Sequence, residues 1–182
     1  MTSTAVRIVG DNRMDEALAF EEFASTRARR LFQVAYLMCG DWHQAQDLVQ
    51  TTLAKMFSVW GRLRRGQDEP GLDAYARKVL LRTYLSQKRL RRSTEIVAAE
   101  LPEPAAAPGD GSDLRLTLTA ALRQLPPRNR AVVVLRYLED NSIEAVAETL
   151  GISTSAVKSL NTRSLAKLRD ILGEDREFLF HS

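Results

Sequence analysis

The stretch that decides the fold is Asn141–Leu172, NSIEAVAETLGISTSAVKSLNTRSLAKLRDIL. Asn141 or Ser142 can cap a helix whose apolar residues Ile143, Val146, Ala147 and Leu150 recur three and four apart, the spacing that gives a helix one buried face. Gly151 falls where a chain leaving a helix needs positive φ, and Ser153 can cap a second helix. The second helix would turn Val157, Leu160, Asn161, Ser164, Leu165 and Leu168 inward. Two helices joined by a tight glycine turn form a helix-turn-helix. Opposite Val157 and Leu168, at about 100° per residue, fall Ser155, Lys158, Ser159, Thr162, Arg163 and Ala166. Between Thr154 and Arg169 the chain carries four basic residues and no acidic one, which suits a helix lying in a groove lined with phosphates. A solvated face on an ordinary helical hairpin is the competing explanation.

Working outward, charge supports a polyanionic partner. The whole chain of 182 residues is only +3, yet residues 60–92 hold ten Lys and Arg against three Asp and Glu, a local +7. Nucleic acid fits that segment better than a membrane, because no apolar run approaches the ~18 residues a span requires. The N-terminus lacks the basic start and apolar centre of a secretory signal, so a cytoplasmic location is expected. The single cysteine, Cys39, lies in the apolar run YLMCG and reads as a small buried residue. Cys39 and His43 are four apart, but two ligands without a third or fourth make a weak metal site, and no metal or other cofactor is expected. The chain shows neither a phosphate-binding glycine loop nor a nucleophile–base arrangement, which argues against an enzyme.

Residues 1–14 carry no periodicity and read as a mobile tail. Helical spacing then runs from Leu18 to Met38 in one or two helices, stopped at Gly40. Asp41 can cap the next helix, whose inner face would hold Ala45, Leu48, Val49, Leu53, Met56, Phe57 and Trp60. Its outer face, with Asp47, Gln50 and Thr51, has few long charged side chains, as either plain surface or a docking site for another helix would. Gly61–Asp73 reads as a loop by its glycines and Pro70. A long helix follows from Leu72 to about Arg92, with Leu72, Tyr75, Ala76, Val79, Thr83 and Leu90 on one side. On the other, Leu81, Tyr84 and Leu85 are interleaved with Arg77, Lys78, Arg82, Lys88 and Arg89. A helix apolar on two sides can be packed on both, or it can offer aromatics among cations to unpaired bases.

The prolines and glycines of residues 93–112 make a linker, which fully extended reaches roughly 65–70 Å, about two turns of duplex. A second domain, residues 113–173, opens with Leu114, Leu118, Leu122 and Leu125 and is broken at Pro126-Pro127. Val132–Val134 are a weak strand signal, outweighed by Ala131, Leu135 and Leu138 at helical spacing. Residues 174–182 form a tail ending in Phe178, Leu179 and Phe180. The expected fold is therefore all-α: a helical domain at 15–92 and a helix-turn-helix domain, joined by a flexible linker.

These parts in this order resemble a bacterial RNA polymerase sigma factor of the extracytoplasmic-function group, over about residues 16–92 and 113–172. FEEFASTRARRLFQVAYLMCGDWHQAQDLVQTTLAKMFSVW is similar to the family's first helices, with Ala45, Asp47, Leu48, Val49 and Gln50 matching its A-x-D-L-V-Q run. LDAYARKVLLRTYLSQKRLRR resembles its promoter-melting helix, and LPPRNRAVVVLRYLEDNSIEAVAETLGISTSAVKS its second domain. The resemblance implies that Asp47, Gln50 and Thr51 dock on the clamp helices of the largest subunit of RNA polymerase core. It implies that Arg62, Arg64 and Arg65, with Tyr75, Arg77, Lys78, Arg82, Tyr84, Lys88 and Arg89, open the −10 element and hold its single strand. Ser155, Lys158, Ser159, Thr162 and Arg163 would read the duplex −35 element, and an anti-sigma factor is an implied partner. Leu160 stands where many members have arginine, and Arg82 where many have asparagine. Three alternatives remain on the residues alone: a stand-alone DNA-binding regulator with residues 15–92 as a dimerising or sensing domain, a helical adaptor without DNA contact, and an enzyme.

Overall fold

The computed structural model describes residues 3–94 and 113–173, and among them it contains eight α-helices, one π-helical turn and no strand. The first half comprises α1 (Ser3–Cys39), α2 (Trp42–Phe57), α3 (Trp60–Gly66) and α4 (Glu69–Thr94). The second comprises α5 (Asp113–Arg123), α6 (Pro127–Val133), the π-helical turn Val134–Leu138, α7 (Ile143–Leu150) and α8 (Thr154–Leu172). The all-α expectation holds. Residues 95–112, most of the expected linker, and the Phe178–Phe180 tail lie outside the described residues.

Helix α1 is a single helix of 37 residues, about 55 Å long, and its helical backbone begins at Ser3, inside the stretch expected to be a tail. It stops where Gly40 turns to φ 69°, a conformation open to glycine and costly for a residue with a Cβ. Asp41 then caps α2 by accepting a 2.8 Å bond from the Gln44 N–H.

The segment Gly61–Asp73 is not the expected loop. Trp60 and Leu63, three apart, bury themselves and make α3 a packed helix, with the Trp60 ring 5.1 Å from those of Phe20 and Phe23. Pro70 sits in the first turn of α4, where a missing N–H breaks no helical bond. Asp68 Oδ1 accepts from the Gly71 N–H at 2.9 Å and closes that turn. Gly and Pro signals here start a helix instead of a loop.

In α4 the buried side chains are Leu72, Ala76, Leu80, Leu81, Thr83 and Tyr84, whereas Leu90 is exposed. The helix is thus packed on parts of both sides read in the sequence, through Leu72, Ala76 and Thr83 of one and Leu81 and Tyr84 of the other. The first half closes as α1 packs on α2 and α4. In the second half, α8 packs across α6 and α7, and Val132–Val134 are helical and buried. The buried apolar residues of both halves belong to one contiguous cluster running from Phe23 to Leu172.

Candidate nucleic-acid interface

The helix-turn-helix is built by its caps. Ser142 Oγ accepts from the Ala145 N–H at 3.1 Å and starts α7, and Gly151 leaves it at φ 64°, ψ 41°. Ser153 Oγ then accepts from the Ala156 N–H at 3.2 Å and starts α8. Val157, Ser164, Leu168 and Leu172 anchor α8 in the core. Ser164 is tied to α6 by a 3.0 Å bond from the Asn129 amide and donates back to the Leu160 carbonyl. With its inner side fixed, α8 turns Ser155, Lys158, Ser159, Thr162 and Arg163 into solvent together. Among the described residues neither Lys158 nor Arg163 is held in an ion pair, so both cations are available to a phosphate. Leu160 is half-buried and packs against the hydrophobic cluster. Its side chain serves the core.

The basic residues of the first half divide between two faces. Arg62, Arg64 and Arg65 project from α3, with Arg65 3.7 Å from Glu16. On α4, Tyr75, Lys78, Arg82 and Arg89 recur at three, four and seven and form one stripe. Tyr75 and Lys78 are half-buried, and Arg82 and Arg89 are exposed. Arg77, Tyr84 and Lys88 lie on a different face. Tyr84 is a correction: at 1% exposure it belongs to the core, with Lys88 Nζ 6.0 Å above its ring, and it offers no surface to a base. The sequence could not decide this, because Tyr84 and Tyr75 both stand among cations.

On α2, Asp47 and Gln50 are exposed and Thr51 is half-buried. The stripe continues through Ala54 to Phe57, in steps of three, four and three. Phe57 is a second correction: assigned to the inner face, it is 55% exposed, its ring tilted against that of Phe20 at 5.1 Å between centroids. Its spacing from Gln50 was the signal that could have placed it outside.

Residues 23–94 match the sigma-70 region 2 family and residues 121–170 the sigma-70 region 4 family, one in each half. The RNA polymerase sigma-E factor of Streptomyces coelicolor is 38% identical over 163 residues, which cover 87% of this chain and 89% of that protein. The ECF RNA polymerase sigma factor SigE of Mycolicibacterium smegmatis is 32% identical over 161 residues, covering 86% of this chain and 62% of that protein. The chain belongs to the extracytoplasmic-function sigma factors. Among solved structures, the sigma factor RpoE of Bartonella quintana in complex with the anti-sigma factor NepR superposes with a TM-score of 0.71 at 25% identity, over 86% of this chain and 98% of that one. CnrH in complex with the cytosolic domain of CnrY shares the fold, with a TM-score of 0.60 at 22% identity over 86% and 88% of the two chains.

The helix-turn-helix of this sigma factor therefore lies in its region 4 and the basic helix α4 in its region 2. Cys39 is buried in region 2, and burial pushes its thiol up to about 11, in keeping with a packing role. Among the described residues no group of three or more His, Cys, Asp or Glu could hold a metal, and no helix is long and apolar enough to cross a membrane.

Proposed function

We propose how this alternative sigma factor, a promoter-specificity subunit for RNA polymerase, divides its work among its residues. Ser155, Lys158, Ser159, Thr162 and Arg163 of α8 read the −35 element in the major groove, the two cations meeting phosphates or guanines and the hydroxyls adapting to base edges. The stripe Tyr75, Lys78, Arg82 and Arg89, with Arg62, Arg64 and Arg65 of α3, grips the opened non-template strand of the −10 element. Extruding a base costs a few kcal/mol, and stacking on an aromatic ring contributes about 1–3 kcal/mol per base, so Tyr75 with its flanking cations is of the right order to hold one. Tyr84 stays in the core and supports the stripe from behind.

Asp47, Gln50 and Thr51, extended by Ala54 and Phe57, form the surface that docks on the clamp helices of core polymerase. A face of short polar groups ending in one exposed aromatic is the composition of a small protein interface. The relative solved with NepR is a complex with an anti-sigma factor, which supports an anti-sigma partner for this chain too. Catalysis belongs to the polymerase.

The observation that carries this assignment is the five-residue polar and basic face of a serine-capped α8, exposed as a unit and, among the described residues, unpaired with acidic groups. Run-off transcription from genomic fragments by purified core, with and without the protein, tests it. Discrete start sites should appear only with the protein, and α8 variants such as K158A should weaken them. Initiation unaffected by substitution across the α8 face would refute the −35 assignment. Charge reversal at Asp47 that left core capture unchanged would refute the docking face.

A further inference from the structure

Helix α4 is held at its start by one residue of α1. Glu69 and Asp73 stand four apart and so share a face of the first two turns of α4. Arg27 of α1 reaches both: its Nε donates to Asp73 Oδ1 at 3.0 Å, and one terminal nitrogen donates to Glu69 Oε2. The other terminal nitrogen donates to Thr26 Oγ1 at 2.8 Å, and that hydroxyl donates in turn to the Glu22 carbonyl at 2.9 Å. The guanidinium also lies 5.3 Å from the centroid of the Phe23 ring, which meets Trp60 of α3. Arg27 therefore stands where α1, α3 and α4 converge, with every nitrogen of its planar fork engaged. The side chains of Arg27 and Asp73 are only 29% and 30% exposed, against 69% for Glu69, so the Asp73 arm is the better shielded and the stronger of the two.

A tie has most effect at this point of the helix. The first N–H groups of a helix have no partner within it, so its first turn opens at the least cost. Asp68 accepts one of them, from Gly71, and only Gln67 and Asp68 join α3 to α4. Arg27 adds a link from α1 to the first turn of α4 and another to the second. The second turn also carries Tyr75, which at about 100° per residue lies about 160° round the helix from Asp73. Arg27 thus grips α4 from behind the stripe Tyr75, Lys78, Arg82 and Arg89, and acts on that stripe only through the helix. We propose that Arg27 is a positioning residue for strand capture: by pinning the first two turns of α4 to α1, it keeps Tyr75 and the arginines of α3 preformed around an unpaired base. This role rests on the promoter reading of α4 given above.

The test uses holoenzyme assembled from core and the full chain, on a promoter found by run-off transcription and carrying 2-aminopurine in its −10 element, whose fluorescence rises as the base unstacks. R27Q should slow that rise about tenfold, below the ~100-fold that about 1 Å of misplacement can cost. Core affinity and binding to a −35 duplex should stay within about twofold of wild type, which a general loss of structure would not allow. R27K, which keeps the charge but not the fork, should be slowed to an intermediate degree and serves if R27Q folds poorly. D73N separates positioning from a direct contact: a cation acting on DNA itself would speed opening once freed of its carboxylate, whereas a positioning residue that has lost its anchor slows it. A cycle with Y75A locates the effect, since R27Q should add less than about twofold once the ring it positions is gone. Opening at the wild-type rate by the Arg27 variants, faster opening by D73N, R27Q and Y75A effects that multiply in full, or an equal loss of opening, core binding and −35 binding would each overturn the role of Arg27. Opening at the wild-type rate by Y75A would instead overturn the promoter reading of α4 on which that role rests.

Discussion

Replacing Phe57 by alanine should weaken core polymerase binding far more than it weakens the fold. A phenylalanine side chain covers about 150–250 Å² when fully buried. At 55% exposure, roughly 100 Å² remains for a partner to cover. At about 25 cal/mol per Å² that is ~2.5 kcal/mol, or about 60-fold in Kd if the partner covers the ring completely. Within the free protein Phe57 pairs with Phe20, an aromatic pair worth ~0.5–1.5 kcal/mol beyond its area. F57A should therefore lower the melting temperature by only a few degrees. Anisotropy titration of dye-labelled protein with purified core measures the first quantity, and thermal denaturation by circular dichroism the second. F57L, which keeps most of the apolar area, should recover most of the affinity. Should F57A bind core within twofold of wild type, the Asp47–Phe57 stripe would not be the docking surface, and the exposed ring would need another partner.

Other substitutions separate structural from functional residues. Y84A should cost about 3–5 kcal/mol of stability, the range for emptying an aromatic core site, whereas Y75A, at a half-buried site against the core, should cost less and should slow permanganate-detected promoter opening. S142A and S153A should each cost ~1 kcal/mol in urea denaturation by removing a cap from a helix of the reading head. R163A should weaken holoenzyme binding across promoters and reduce the slope of log K against log salt by about 1, if its contact is a phosphate. Cys39 imposes a pH dependence: with its folded value raised to about 11 from an ordinary 9.0, the unfolded chain loses the thiol proton first. The folded state then binds more protons between those values, so stability falls as pH rises from about 9 to about 11. C39A should lose that component of the alkaline decline, as read by difference between the two denaturation profiles.

The helix-turn-helix was legible because its signals are local. Ser142, Gly151 and Ser153 act within three residues of themselves, and each does in the structure what its position announced. Which parts of the two sides of α4 are packed was not legible, because its apolar and cationic residues alternate around the whole helix and only tertiary contact selects Leu80 and Tyr84 over Leu90. The segment Gly61–Asp73 misled for the opposite reason: its punctuating residues are genuine signals, but Pro70 marks a helix start, and Trp60 finds its burial partners nearly forty residues away at Phe20 and Phe23. Phe57 was assigned inward because it continues the three-four spacing of Leu53 and Met56, although its spacing from Asp47 and Gln50 put it on the polar side. Such a conflict between residue type and position is what a protein surface built for a partner produces.

The contact between the halves depends on pairs 109 and 62 residues apart, Arg30 with Glu139 and Arg77 with Glu139, for which no periodicity exists to read. The +7 of residues 60–92 points to a polyanion, yet in this structure Arg77 and Lys78 already meet carboxylates of the same chain. A charge excess measured along the sequence therefore overstates what region 2 offers to DNA while region 4 lies upon it. The pairs Arg77–Glu139 and Lys78–Glu148 must part before either cation can meet a phosphate. It follows that the salt dependence of DNA binding should be smaller for the free protein than for the holoenzyme, since the free protein must give up intramolecular ion pairs for each phosphate it gains. A free-protein slope equal to the holoenzyme slope would mean that those pairs contribute nothing, leaving the contiguous apolar core alone to keep the halves together.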